Sequence, residues 1–122
     1  MFSALALTVA LSTAATHLEI QPWTGRDLVT TTTTAAKFRL VVTGKPGTRV
    51  RLQASGVADG WLGAFCTPTV CSPESVDADL PRSGQAVLQF ELIREGDSAP
   101  SRSGARITCD DGAYVDVPAV SR

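Results

Sequence analysis

The sequence predicts an all-β fold, an antiparallel β-sandwich of seven to eight short strands. Three observations carry that expectation. From His17 onward apolar and polar residues alternate with period two, the spacing of strands with one buried face. Turn-forming groups recur at roughly the 8–12-residue spacing of all-β domains. No stretch after residue 16 keeps a helical period. A small closed barrel is the alternative arrangement.

The elements follow in order. Leu18 and Ile20 alternate with polar neighbours in a first strand. The β-branched run Thr30–Thr34 fits an exposed edge or a solvated connection. Phe38, Leu40 and Val42 then alternate with Lys37 and Arg39, and Val50, Leu52 and Ala54 alternate with Arg49, Arg51 and Gln53. The turn Gly44-Lys45-Pro46-Gly47 between the two runs predicts a hairpin. Its outer face would carry Lys37, Arg39, Arg49 and Arg51 as a basic stripe, a solvated face or at most a docking surface for an acidic partner.

The segment Gly60–Cys71 comes next and concentrates Trp61, Cys66 and Cys71 around Thr67-Pro68-Thr69-Val70. It reads as a stapled corner. Val76, Ala78 and Leu80 alternate with Asp77 and Asp79, and Pro81-Arg82-Ser83-Gly84 turns the chain. Ala86, Leu88, Phe90 and Leu92 form the longest inward row, with Gln85, Gln89 and Glu91 expected in water. A Ser/Pro/Gly loop over 96–104 leads to Ala105, Ile107 and Cys109 on one face. Asp111-Gly112 is the strongest hairpin signal, followed by Val115 and Val117. This pattern is immunoglobulin-like in the broad sense.

With 122 residues the chain holds one domain, expected over 17–120, and is long enough to bury a core without staples. A net charge of −1 with interspersed signs leaves no footprint for nucleic acid. Residues 1–15 carry no charge, and Phe2–Leu11 is mostly apolar before the small residues Ser12, Thr13, Ala14 and Ala15. That reads as a secretory signal cut after Ala14 or Ala15. No basic residue precedes the apolar run. Contact with a membrane is expected only through residues 1–15, if they are retained.

An alternating strand, a turn, a second strand to Ser55-Gly56, Gly60-Trp61, an acidic-alternating strand, Pro81-Arg82-Ser83-Gly84 and the long strand from Gln85 occur in that order. The order resembles exported bacterial Ig-like β-sandwich domains with a Gly-Trp corner, some of which carry two cysteines just after the tryptophan. The resemblance spans Lys37–Val117. It implies an accessory, spacer or interaction role in cell-envelope proteins.

Three cysteines leave one thiol over for any single bridge. Cys66–Cys71 is the expected disulfide in an exported protein, because a short loop containing Pro68 can bring the two together. Cys109 is expected inward as a small hydrophobe, with a bridge to Cys66 or Cys71 as the rival. A metal site would need C-x4-C spacing and His17, the single histidine, a poor set for zinc. No metal or other cofactor is expected.

No Gly-x-Ser-x-Gly elbow is present, and His17 is the one histidine base for a triad. Asp77 and Asp79 point the same way from one strand, and Asp110-Asp111-Gly112 forms an acidic turn; both read as structure. Trp61 either packs into the sandwich end near Phe65 and the disulfide or stands exposed as a binding anchor. Trp23 poses the same choice. The sequence therefore predicts a non-enzymatic interaction or accessory subunit of an envelope or extracellular assembly. Its expected contacts are Trp61, Thr67, Pro68, Thr69 and Val70, with strand addition at Thr30–Thr34. The alternative is a periplasmic small-ligand or metal-binding protein using Cys66 and Cys71.

Overall fold

The structure, a computed structural model, describes residues 16–24, 34–96 and 98–121. They form nine strands and no helix: β1 (His17–Pro22), β2 (Thr34–Thr43), β3 (Arg49–Ser55), β4 (Trp61–Cys66), β5 (Cys71–Pro73), β6 (Ser75–Asp79), β7 (Gln85–Arg94), β8 (Arg102–Cys109) and β9 (Tyr114–Ser121). Two antiparallel sheets face each other, one in the order β1-β2-β7-β4-β5 and the other β6-β3-β8-β9. The added strand is β5, three residues ending in Pro73, too short to show a period in sequence. The apolar run 1–15 and Thr30–Thr33 lie outside the described residues. Thr34 opens β2 and pairs with Ile93 of β7, while β1 joins the other side of β2 only over Phe38–Thr43.

Alternation sets the core. Phe38, Leu40 and Val42 of β2 meet Leu88, Phe90 and Leu92 of β7 in register. Val50 and Leu52 of β3 and Ala105, Ile107 and Cys109 of β8 close the core from the other sheet. Phe65 lies opposite Phe90, their rings tilted at 54° with centroids 5.0 Å apart. Such a pair is worth about 0.5–1.5 kcal/mol beyond the area it buries. Beside it, a Cβ built on Gly63 would stand 3.0 Å from Phe90 Cζ and 3.3 Å from Ala54 Cβ of the facing sheet. The sheets approach here as closely as a glycine allows.

The expected β2–β3 hairpin is not formed. β2 and β3 belong to opposite sheets, so Gly44-Lys45-Pro46-Gly47 is an arch crossing the sandwich. A four-residue turn fits either geometry; what selects the arch is its partner, the β6–β7 crossing at Pro81–Gly84. Gly44 N–H donates to Gly84 O at 2.8 Å and Gly47 N–H to Leu80 O at 2.9 Å. Gly84 sits at φ +76°, where a Cβ would stand 2.7 Å from Gly44 O. A side chain there would force the arches apart.

The basic stripe dissolves with the hairpin. Lys37 and Arg39 lie on the outer face of one sheet, Arg49 and Arg51 on that of the other. Arg49 and Arg51 are each opposed across the ladder by an acid, Asp79 at 2.8 Å and Asp77 at 3.3 Å. A third outward pair joins Arg106 to Asp116 at 2.8 Å, with the guanidinium 4.2 Å from the exposed Tyr114 ring.

Gln89 and Glu91, expected in water, are buried at 0% and 1% exposure. The pleat does turn them away from the core. They lie on the central strand, flanked in register by Arg39 and Lys37 on β2 and by Cys66 and Ala64 on β4. Long basic side chains can lie across a sheet and cover it with their stems, and Arg39 Nε is itself buried.

Candidate functional site

β4 and β5 form a hairpin at one edge of the five-stranded sheet. Cys66 lies directly opposite Cys71, their α-carbons 4.0 Å apart, and a disulfide joins them. Thr67 N–H donates to Val70 O at 2.8 Å, so 67 and 70 are the hydrogen-bonded pair. Positions 66 and 71 are then a non-hydrogen-bonded pair, whose α-carbons approach most closely. Both sulfurs project from the outer face, opposite to Trp61, Gly63 and Phe65 on the same strand.

The tip beyond the disulfide is Thr67-Pro68-Thr69-Val70. Thr67 Oγ1 accepts from the Val70 and Thr69 N–H groups at 3.3 and 3.4 Å. The hydroxyl thus takes the place of a backbone carbonyl in closing the turn. Pro68, Thr69 and Val70 are exposed, Val70 at 51%. No residue of the tip is charged.

After β5 the chain changes sheets through one residue. Glu74, at φ +68°, donates its N–H to Gly63 O on β4 and accepts Ala54 N–H of β3, both at 2.8 Å. The hairpin is therefore held at its base by both sheets.

On the outer face, Glu91 Oε2 lies 3.3 Å from Cys66 Sγ. A disulfide sulfur carries no proton, so this is a packing contact; a thiol at the same place would donate to the carboxyl group. Cys66, Cys71 and Glu91 hold their donor atoms within 4.8 Å of one another. Sequence reading missed Glu91 because its place beside the cysteines follows from β4–β7 pairing, which alternation does not reveal.

Trp61 is not the exposed anchor. It is 6% exposed, and its indole N–H donates to the Pro100 carbonyl in the β7–β8 connection. Packing near Phe65 is as expected, but the disulfide lies on the other face. Beside Trp61, a cleft of roughly 310 Å³ is lined mainly by Ala54–Gly63 and Glu74. Trp23 is half-buried, with a buried indole nitrogen.

Cys109 faces inward at 2% exposure, a free thiol on the sheet opposite the disulfide. Burial pushes its thiol pKa up. Asp77 and Asp79 stand on an open sheet face, each paired with its arginine. The Arg49 hydrogen bond and charge hold Asp79 below the usual carboxylate range. Asp110-Asp111-Gly112 turns the β8–β9 hairpin: Gly112 N–H donates to Cys109 O at 2.9 Å, and Ala113 N–H to Asp111 Oδ1 at 3.1 Å.

No family model, curated protein or solved structure matches the chain.

Proposed function

We propose that this chain is an exported, non-enzymatic interaction or accessory subunit of a cell-envelope or extracellular assembly, docking through the Thr67–Val70 tip. One observation carries the reading: a disulfide sits directly beneath an exposed, uncharged turn, at a sheet edge pinned by Glu74. Such a turn loses little conformational entropy on binding. Its Pro, Thr and Val surface suits an apolar protein patch rather than a charged one.

The strand order supports an immunoglobulin-like identity. β1-β2-β7-β4 opposite β3-β8-β9 is the order of the A-B-E-D and C-F-G strands in that fold. A disulfide is compatible with an oxidising compartment outside the cytosol. The edges argue for docking by the tip rather than by strand addition. Of the four edge strands, β1 carries the exposed Glu19 and ends in Pro22, β5 has three residues and ends in Pro73, β6 presents Asp77 and Asp79, and β9 contains Pro118. Each device discourages pairing with another strand. Isolation from the native envelope with Val70→Asp as control tests the reading: partners lost with the variant support it, and a reduced cytoplasmic monomer overturns it.

A second reading rests on the Cys66–Cys71–Glu91 cluster. Reduced, it offers two thiolates and a carboxylate, donors suited to zinc. Metal analysis of the protein isolated without reductant separates the two: stoichiometric zinc with Cys66 and Cys71 unbridged favours the second reading, an intact disulfide the first.

A further inference from the structure

Thr16 is 8% exposed although it precedes β1 and carries a hydroxyl. What it faces is the β8–β9 turn. Its hydroxyl and its backbone N–H are both directed at the Asp111 carboxylate, and the hydroxyl also reaches Cys109.

Asp111 is incompletely satisfied. Oδ1 accepts the Ala113 N–H at 3.1 Å, whereas Oδ2 is buried and receives no well-formed hydrogen bond. Among the described residues no cation pairs with it. The acids nearby are Asp110, which accepts the Cys109 thiol at 3.4 Å, and Cys109 itself. The adjoining His17 side chain is exposed on β1. A buried carboxylate oxygen beside a backbone nitrogen is a place for positive charge.

We propose that the chain is cut between Ala15 and Thr16 and that the α-ammonium so created docks on Asp111, fixing the new N-terminus to the β8–β9 turn. The proposal rests on the export reading. A leader peptidase and one water break the amide, leaving the carboxylate on Ala15 and the amine on Thr16. The sequence offers cuts after Ala14 or Ala15, both preceded by small residues. The structure selects the second, because it is the Thr16 nitrogen that meets the carboxylate. An amide presents one N–H in a fixed plane; an ammonium presents three and a full charge to the carboxylate.

Two measurements test the proposal and fail separately. The full chain, expressed in a bacterium and recovered from outside the cytoplasm, should have Thr16 as its first residue by intact mass and N-terminal sequencing. A chain beginning at Ala15, or an uncut chain, overturns the assigned cut; a chain found uncut and only in the cytoplasm overturns the export reading with it. Independently, the chain beginning at Thr16, released from a fusion, is compared with its N-acetylated form and with Asp111→Asn. The free amine should bind its proton about tenfold more tightly than an ordinary α-amine. Its stability should then be complete below pH ~8 and fall as pH rises through the raised pKa. The acetylated and Asp111→Asn chains should lack that step. Parallel curves for free and acetylated chains overturn the docking, whatever the export result.

Discussion

Cys66 and Gln89 face each other across the β4–β7 ladder, which places the Cys66–Cys71 disulfide on the outer face of the sheet and away from the core. The bridge therefore shapes the hairpin tip rather than stapling the two sheets together. Removing it should affect recognition more than folding.

Cys66→Ser with Cys71→Ser should cost about 2 kcal/mol, the chain-entropy value for so short a loop. The double variant should remain folded, with its unfolding midpoint in urea lowered. Loss of the folded state would show that the disulfide carries the sandwich.

Thiol counting distinguishes the three cysteines. The native, non-reduced protein should show no reactive thiol at pH 8, and the denatured protein one. Cys109 is shielded by burial, and the same burial keeps it protonated. Two or three reactive thiols in the denatured state would contradict the Cys66–Cys71 bridge.

Gly63→Ala should destabilise by about 1–3 kcal/mol, the range for overpacking a tight core. The added methyl meets Phe90 and Ala54 of the facing sheet at 3.0 and 3.3 Å. Gly96→Ala, with nothing within 4 Å, is the control and should be close to neutral in equilibrium unfolding.

Burial alone would raise the Asp111 carboxyl. Hydrogen bonds from Thr16, Ala113 and Cys109 outweigh burial and hold it below its usual range. A carboxyl lowered in the folded state contributes stability above its unfolded pKa of ~3.9, lost as pH falls through the folded value. Asp111→Asn should flatten the acid limb of the stability curve below about pH 4. An unchanged limb would show that Asp111 contributes nothing there.

Much of the fold was legible because its cause is local. Alternation placed Leu40, Leu52, Phe90 and Ile107 inside, and Asp111-Gly112 marked its hairpin. What failed depends on pairing. Gly44–Gly47 fits a hairpin or an arch equally well, and only its bonds to the β6–β7 crossing decide. Gln89 and Glu91 do point away from the core, yet their covered surroundings come from neighbouring strands. At the site, the cysteine pair was readable from spacing and Pro68. Packing of Trp61 into the sandwich end was one of two readings open in the sequence; its indole partner Pro100 was not readable, lying 39 residues along the chain.

The most direct test of tip recognition is site-specific photocrosslinking in the native envelope. A photoreactive residue is placed at Val70 or, on the far sheet, at Tyr114; both positions are exposed, at 51% and 57%. Docking by the tip should give one discrete protein adduct from position 70, absent from position 114 and diminished when Cys66 and Cys71 are both serine. No adduct from position 70, or the same adducts from both positions, would contradict it.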